Sequence, residues 1–465
     1  MNFLKKIEKF DSNTCFFTDD KRRVSYQDVL KNSETLSKNL KPRALIFVLA
    51  DNNIEFFNAY VGFFRKGLVQ TLLNPKISTS LLQELIESYR PSYIFAPNSR
   101  TNDFKNYEIL DKSDNYIIFK LNNDNNYSIN KDLALLLSTS GSTGSKKFVR
   151  ISYENISHNT ENIAKFLEIN AKHKTITTMP PFYTYGLSVI NTHLLKGASI
   201  LITNLRAVEK GFWKLIKDYK ITSFAGVPYF YEVLNKIKFD QFNLPDLKYF
   251  TQAGGPLKKN LIEYFFSYAK KGKKKFIIMY GQTEATARMT YLPYEMLEKK
   301  IGSVGIPIDG GKISLLSEKS KNDEKGEIIY EGKNVSMGYA KNYKDLNKDD
   351  ENHGLLKTGD LARKDKEGYL YIVGRKHRDV KLFGHRISLD EIERILFNKG
   401  YNCLCCGLDN KVTIFHIDKN YNGEVLKYLS KATNINQNCF QLKYIKKFPL
   451  NENGKASYKK LEKFL

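Results

Sequence analysis

The chain has 465 residues, a length that exceeds one compact core and predicts two or more domains. A hydrophobic fraction of 42% excludes a largely disordered chain, and no apolar run approaches the ~20 residues that cross a bilayer. The net charge of +24 would suit nucleic-acid binding, but the lysines are spread along the chain without interleaved aromatics, so we expect no nucleic-acid ligand.

Short apolar runs alternate with helical patterns through roughly the first 370 residues. The runs predicted to be strands are residues 44–50, 93–96, 117–119, 134–137, 200–202 and 276–279. Strands that alternate with helices indicate βαβ units and a mainly parallel sheet with helices on its faces. The sequence therefore predicts an α/β fold.

The pattern changes after Glu327, where short strands at residues 327–331 and 369–373 are separated by glycines. This indicates a more antiparallel region. A charged stretch, residues 374–379, then precedes a small unit with a helix at 389–397, two or three strands and a polar tail. We place the domain boundary at this stretch, between residues 1–376 and residues 377–465.

A loop of hydroxyls, glycines and lysines follows the predicted strand 134–137. Its candidate phosphate-binding residues are Thr139, Ser140, Gly141, Ser142, Thr143, Gly144 and Lys147. Glycines let backbone N–H groups approach an anion, and hydroxyls and a lysine add hydrogen bonds and charge. The spacing is not that of a Walker A loop. Alone, such a loop is more often a linker or turn, but the preceding strand favours a phosphate site.

Two further segments combine strand ends with polar side chains. Tyr280, Thr283 and Glu284 follow the predicted strand 276–279, and a carboxylate beside phosphates is a natural Mg²⁺ ligand. The alternative is an ordinary strand-to-helix turn with Thr283 as N-cap. Asp360 could accept hydrogen bonds from a ribose diol and Arg375 could clamp a phosphate, although a surface turn with a salt bridge would use the same residues.

A fourth segment lies in the polar tail, where Gly454 and Lys455 occupy a turn-rich loop. The order and spacing of the four segments resemble the acyl-adenylate-forming superfamily: acyl-CoA synthetases, peptide-synthetase adenylation domains and luciferases. The segments 302–307, 180–187, 226–228 and 251–257 extend the resemblance over nearly the whole chain. It is closest to small stand-alone acyl or aryl acid ligases.

The resemblance implies a large N-terminal domain with a distorted β-barrel portion and a small mobile α+β C-terminal domain. It implies that ATP and Mg²⁺ act with a carboxylic acid to form an acyl-adenylate. The implied catalytic residues are Lys455, Thr283, Glu284 and Arg375, with Glu284 as the metal ligand. Asp360 would bind the ribose, and Tyr280, Gly254 and Gly255 would flank the adenine.

The resemblance also implies a second half-reaction, in which the small domain rotates about His377. Lys381 and Gly384 would then line a tunnel for the pantetheine arm of coenzyme A or of a carrier protein. The chain departs from the family at residues 146–148, where Lys-Lys-Phe replaces Pro-Lys-Gly, at His377, and at Tyr458 in place of an arginine. These departures bear mainly on this second half-reaction.

The stretch 181–187 gives an expectation about the acid. Amino-acid-activating members carry an aspartate there, whereas this chain has no acid, and an unpaired ammonium in a dry pocket is costly. We expect an uncharged acyl or aryl acid in a pocket that includes Tyr183, Tyr185 and Val227. Plain core packing of these residues, an amino-acid-activating ligase that loads a carrier protein, and an inactive binding homologue are the alternatives.

Location and partners are the last expectations. Five cysteines form no disulfide framework, and the N-terminus has no apolar signal segment, so we expect a cytoplasmic protein. The positive surface would favour an acidic acyl carrier protein as partner.

Overall fold

The computed structural model describes residues 3–121, 127–139, 147–317, 325–376, 378–382, 385–408, 411–433, 435–451 and 456–465. No helix in these ranges is long and apolar enough to cross a membrane.

The first half of the described chain alternates strands and helices. In chain order the elements are β1 (Thr14–Thr18), β2 (Arg23–Ser25), α1 (Tyr26–Ser37), β3 (Leu45–Leu49), α2 (Ile54–Lys66), β4 (Val69–Leu73), α3 (Thr79–Tyr89), β5 (Tyr93–Pro97), β6 (Glu108–Lys112), β7 (Tyr116–Lys120), β8 (Leu133–Ser138), β9 (Phe148–Ser152), α4 (Tyr153–Phe166), β10 (Lys174–Ile176), α5 (Thr184–Leu195), β11 (Ser199–Ile202), α6 (Lys210–Asp218), β12 (Ser223–Gly226) and α7 (Pro228–Lys236).

The second half contains more consecutive strands. Its elements are β13 (Tyr249–Gln252), α8 (Lys259–Lys271), β14 (Lys275–Tyr280), β15 (Thr290–Tyr291), β16 (Ile306–Pro307), β17 (Lys312–Leu316), β18 (Lys325–Glu331), β19 (Tyr339–Ala340), β20 (Leu355–Lys364), β21 (Leu370–Arg375), β22 (Asp379–Leu382), β23 (His385–Ser388), α9 (Leu389–Asn398), β24 (Cys403–Leu408), β25 (Lys411–His416), α10 (Gly423–Thr433), β26 (Phe440–Tyr444) and α11 (Tyr458–Leu461).

Two large mixed sheets form the body of the protein. One has the strand order β19-β9-β8-β4-β3-β5-β7-β6, and the other has the order β16-β15-β14-β13-β12-β10-β11-β1-β2. Their central strands pair in parallel and their outer strands pair antiparallel, as β3 with β4 and β14 with β15 illustrate. Strands such as β3 are apolar and buried at every position, which is typical of parallel strands covered on both faces. The predicted α/β fold is confirmed.

The largest buried cluster lies where both large sheets meet helices α1, α2, α4 and α5. Helix α2 contributes most of its length, because Phe56, Phe57, Phe63 and Phe64 are all fully buried. The helix begins at Asn53, whose side chain accepts a hydrogen bond from the Phe56 N–H, so its entry into the core is fixed locally.

The antiparallel region predicted after Glu327 is a four-stranded sheet, β17-β18-β20-β21. The barrel portion expected here stays a prediction. The following segment has its own hydrophobic cluster, built from α9, α10 and the sheet β24-β25-β26. Within the described residues, no member of this cluster precedes Val380, and the domain boundary at residue 376 stays a prediction.

Candidate active site

The sheet register brings Tyr280, Asp360 and Arg375 together. Asp360 of β20 pairs with Arg375 of β21, and Tyr280 is the last residue of β14. The Tyr280 hydroxyl donates to Asp360 Oδ2 at 2.5 Å, and Arg375 Nε donates to Asp360 Oδ1 at 2.9 Å. The Asp360 side chain is 6% exposed and that of Arg375 is 67% exposed. A buried carboxylate is therefore held in place by one neutral and one charged donor.

The charges of this group reinforce one another. Burial and the adjacent Asp360 carboxylate raise the pKa of Tyr280 well above its ordinary value, so the phenol keeps the proton it donates. The same carboxylate raises the pKa of Arg375. Gly359 precedes Asp360 at φ 71, in the left-handed region that favours glycine, and its N–H donates to Glu327 at 3.2 Å.

Thr283 and Glu284 lie in a short 3₁₀ turn directly after β14. The N-cap alternative is wrong for Thr283, because the cap position is Gln282 and has no side-chain cap bond. The Thr283 hydroxyl is instead 2.9 Å from the hydroxyl of Thr184, in the first turn of α5. The turn that follows β14 thus contacts the segment predicted to bind the acid.

Glu284 is connected to the predicted phosphate loop through Tyr339. The Tyr339 hydroxyl donates to Glu284 Oε1 at 2.7 Å, and Lys147 Nζ lies 3.2 Å from the centroid of the Tyr339 ring. Burial and Glu284 raise the pKa of Tyr339, which keeps it a donor. The sequence does not show that Tyr339 and Thr184 contact the site. Each forms its hydrogen bond with a residue that is distant along the chain, Tyr339 with Glu284 and Thr184 with Thr283.

The base of the predicted phosphate loop is closed by strand pairing. Ser138 of β8 pairs with Phe148 of β9, so Thr139 and Lys147 emerge side by side. Several predicted site residues lie outside the described residues: Ser140, Gly141, Ser142, Thr143, Gly144, His377, Gly384 and Lys455. Lys381 is in β22, and its side chain lies outside the described part as well.

Gly254 and Gly255 follow β13, the strand next to β14. The Gln252 side chain donates to the Gly255 carbonyl at 2.8 Å and holds the turn. Because β13 and β14 run parallel, this turn and Tyr280 lie at the same edge of the sheet. The structure therefore brings the residues predicted to flank adenine to one place.

The predicted acid-pocket residues also come together. Tyr183, Tyr185 and Val227 belong to one buried cluster with Met179, Ala225, Ala253, Ile277 and Met279. The Tyr185 hydroxyl is 2.8 Å from the Thr251 hydroxyl and donates to the Thr251 carbonyl at 3.0 Å.

An arginine that the sequence reasoning missed lies in this pocket. Arg288 is 3% exposed, and its guanidinium carbon lies 3.9 Å from the centroid of the Tyr185 ring. The backbone of Ala287 and Arg288 packs directly against Gly281. A side chain at residue 281 would prevent this, because its Cβ would lie 1.8 Å from the Ala287 carbonyl oxygen. The signal in the sequence is an arginine four residues after Glu284 in a segment that is otherwise small and apolar.

Comparison with known proteins agrees with this geometry. A sequence profile described as AMP-binding enzyme matches residues 3–340. The chain belongs to the AMP-binding enzyme family. Like the acyl-CoA synthetases in this family, it is an ATP-dependent, AMP-forming ligase, and the resemblance seen in the sequence is confirmed.

Two curated relatives of this AMP-binding enzyme differ widely in length. It is 26% identical over 390 residues to 2-succinylbenzoate–CoA ligase of Oceanobacillus iheyensis, covering 81% of the chain and 79% of that relative. It is 24% identical over 421 residues to bacitracin synthase 2 of Bacillus licheniformis, covering 86% of the chain but 16% of that much longer protein.

A solved structure shares the fold. It is the o-succinylbenzoate coenzyme A synthetase (MenE) of Bacillus subtilis, in complex with ATP and magnesium ion. The TM-score is 0.80 at 20% identity, with 99% of each chain covered.

Proposed function

We propose that this ligase uses ATP to convert a carboxylic acid into an acyl-adenylate and pyrophosphate, and then transfers the acyl group to a thiol. The observation that carries the proposal is the convergence of the Tyr280, Asp360 and Arg375 group with Thr283 and Glu284 at the end of β14. A buried carboxylate suits a ribose diol, and a hydroxyl beside a second carboxylate suits phosphates and a cation.

The nucleotide would lie across this edge of the sheet. Asp360 would accept hydrogen bonds from the ribose hydroxyls, since each of its oxygens can accept more than one donor. Tyr280 and the Gly254-Gly255 turn would flank the adenine. Thr139, Lys147 and the loop residues between them, which lie outside the described part, would hold the β- and γ-phosphates.

Glu284 fits the role of a magnesium ligand. Mg²⁺ at phosphates takes one or two carboxylates and completes its shell with phosphate oxygens and water. Among the described residues no group of three or more His, Cys, Asp or Glu could hold a metal by itself, which agrees with a cation held mainly by substrate. Bound there, Mg²⁺ would reduce the negative charge of the phosphates.

The first half-reaction exchanges one bond to phosphorus for another. A carboxylate oxygen of the acid forms a bond to the α-phosphorus, and the bond from that phosphorus to the bridging oxygen breaks, so pyrophosphate leaves with the electron pair. Thr283 would hold the α-phosphate, and Lys455 would stabilise the charge that develops between carboxylate and phosphate.

The second half-reaction needs a different arrangement. The thiolate sulfur forms a bond to the acyl carbon, the carbon–oxygen bond to AMP breaks, and the thiol proton is released to solvent. In our proposal residues 377–465 rotate about His377 as a mobile domain, which moves Lys455 away. Lys381 and Gly384 would then line the path of the pantetheine arm.

The proposed acceptor is coenzyme A, supported by the 2-succinylbenzoate–CoA ligase that the chain resembles over most of its length. A carrier protein is the alternative, since part of bacitracin synthase 2 is also similar and the net charge of +24 would attract an acidic partner. The proposed acid is an acyl or aryl acid, because the pocket around Tyr183, Tyr185 and Val227 contains a buried cation that would repel an ammonium group.

Pyrophosphate exchange across a panel of carboxylic acids tests the proposal. Exchange that depends on one class of acid is the expected result. Lys455→Ala should lower the exchange rate by about 100-fold or more, yet leave thioester formation from a supplied acyl-adenylate largely intact. Equal loss of both half-reactions would contradict the rotation, and no exchange with any acid would contradict the ligase activity.

A further inference from the structure

The end of the acid pocket is a small cavity with an unusual electrostatic composition. It lies between α4, α5 and the strands β10, β12, β13 and β14. Its polar lining includes Tyr185, Thr192, His193, Ser223, Tyr249, Thr251 and Arg288. None of the described residues that line it is Asp or Glu.

Arg288 has no carboxylate partner in this cavity. Its Nε is 3.4 Å from Met279 Sδ, a weak acceptor, and its Nη1 is 3.4 Å from the Ala287 carbonyl oxygen. No ion pair within 4.0 Å joins it to an acid of the described residues. Burial lowers the pKa of Arg288, which reflects the free energy of holding this charge away from water.

The neighbouring tyrosines do not supply the missing negative charge. Burial raises the pKa of Tyr183 and of Tyr185 above the ordinary value, although Arg288 opposes the shift. Both phenols are therefore neutral at physiological pH. Ring contact with Tyr185 stabilises the guanidinium, but a neutral ring supplies no negative charge to balance it.

A second polar side chain that lines the same cavity has one nitrogen without a partner among the described residues. His193 is 2% exposed, and its Nδ1 lies 2.8 Å from the Val189 carbonyl oxygen, which fixes Nδ1 as the protonated nitrogen. Its Nε2 is buried and has no hydrogen-bond partner among the described residues. Hydroxyls of Ser223 and Tyr249 line the cavity as well. The wall thus offers one cation and several neutral polar groups.

The backbone of Arg288 is held firmly. Its N–H donates to Asn159 Oδ1 at 3.2 Å, and its carbonyl accepts from Asn159 Nδ2 at 2.8 Å and from Asn334 Nδ2 at 3.0 Å. The main chain is therefore fixed, and the guanidinium is placed by its contacts with the Tyr185 ring and Met279 Sδ. Fixed geometry of this kind suits an arginine that binds a carboxylate through two parallel hydrogen bonds.

We propose that Arg288 binds a second carboxylate of the substrate, so that this ligase activates a dicarboxylic acid at the end remote from Arg288. The inference rests on the proposed function and names its substrate class. It replaces the uncharged acyl or aryl acid expected from the sequence. The cavity is about 20 Å³, room for about one water, so lining side chains such as Tyr185 must shift to admit the substrate.

Pyrophosphate exchange with matched pairs of acids tests this. The pairs are succinate and monomethyl succinate, glutarate and monomethyl glutarate, and terephthalate and monomethyl terephthalate, because each ester keeps one reactive carboxylate and lacks the second charge. For the pair that fits best, the wild type should have a kcat/KM about 100-fold higher for the diacid. Arg288→Met should remove most of that preference and leave the KM for ATP unchanged.

The matched control is Arg363→Met. Arg363 also stacks on a tyrosine, with its guanidinium carbon 4.1 Å from the Tyr371 ring centroid, but it lies on β20 outside the pocket. This variant should keep the preference for the diacid. A binding readout that needs no turnover is the melting temperature, which the preferred diacid should raise in the wild type and not in Arg288→Met.

Other outcomes overturn the inference in distinguishable ways. Equal use of diacid and half-ester by the wild type would show that Arg288 serves packing only. Equal loss of both substrates in Arg288→Met would show that it binds the reacting carboxylate. No exchange with any acid, and no melting shift with any diacid, would reject the proposed function together with this inference.

Discussion

Two buried arginines on different elements of the protein differ in what surrounds their charge. Arg150 on β9 is fully buried and Arg288 is 3% exposed. Arg150 donates to the carbonyl oxygens of Met337, Lys348 and Asp349 and to the carboxylate of Glu351. Arg288 has a tyrosine ring, a thioether and one long carbonyl contact. Burial alone therefore does not identify a binding residue. The hydrogen-bond acceptors around the guanidinium distinguish a structural arginine from one that can bind a ligand.

The largest effect is expected at the structural arginine. Arg150→Met should lower the free energy of unfolding by about 3–5 kcal/mol, because one buried carbonyl, two half-buried carbonyls and a carboxylate lose their donor together. Urea unfolding measures this. Glu351→Gln is the control: the Glu351 side chain is 47% exposed, so its loss should lower stability by about 1 kcal/mol or less. Wild-type stability of Arg150→Met would remove the contrast between the two arginines.

The cavity beside Arg288 should make stability depend on pH. Burial lowers the pKa of His193 to about 4, whereas an unfolded histidine titrates near 6.5. Between these values the unfolded state binds more protons, so stability falls as pH falls from about 6.5 to about 4, by up to about 3 kcal/mol.

Urea unfolding at pH 7 and pH 4.5 checks this prediction. His193→Gln should show a flatter profile than the wild type, because glutamine does not titrate in this range. An unchanged profile in the variant would mean that other groups carry the acid sensitivity.

The smallest effect on stability is expected at Arg288 itself. Arg288→Met should change the free energy of unfolding by less than about 1 kcal/mol, or raise it, because an unpaired buried charge is replaced by a flexible, unbranched apolar side chain. Calorimetry without ligands measures this. If Arg288→Met lost as much free energy of unfolding as Arg150→Met, both arginines would have a structural role.

Most of the strands predicted from the sequence are apolar throughout, and several strands that contain polar residues were missed. Every predicted strand is present, with bounds that differ by one or two residues. Strand β9 was missed because Arg150 and Ser152 interrupt its apolar pattern, although all five positions are buried. Its burial depends on carbonyl groups supplied by residues 337–349, a tertiary contact that no local pattern encodes.

The sequence predicted some residues of the candidate site and not others, again because tertiary contacts are not encoded in a local pattern. Tyr280, Glu284 and Asp360 could be predicted because they occur in motifs that resemble a family. That Tyr280 and Asp360 share a hydrogen bond depends on the arrangement of strands 80 residues apart. Arg288 was missed because an arginine in a loop is usually solvated, and only the packing of residues 281–288 shows that this one is buried.

The buried carboxylate of Asp360 bears on which sugar the enzyme accepts in its nucleotide. The side chain is 6% exposed, so water is poorly placed to replace a missing hydrogen-bond donor. In the proposed function a ribose supplies two hydroxyl donors and a deoxyribose supplies one. Sites built to bond a particular hydroxyl reject analogues that lack it far more strongly than apolar pockets reject a missing methylene. Asp360 would thus make the enzyme select ATP over dATP, so that it consumes ribonucleotides and not the precursors of DNA.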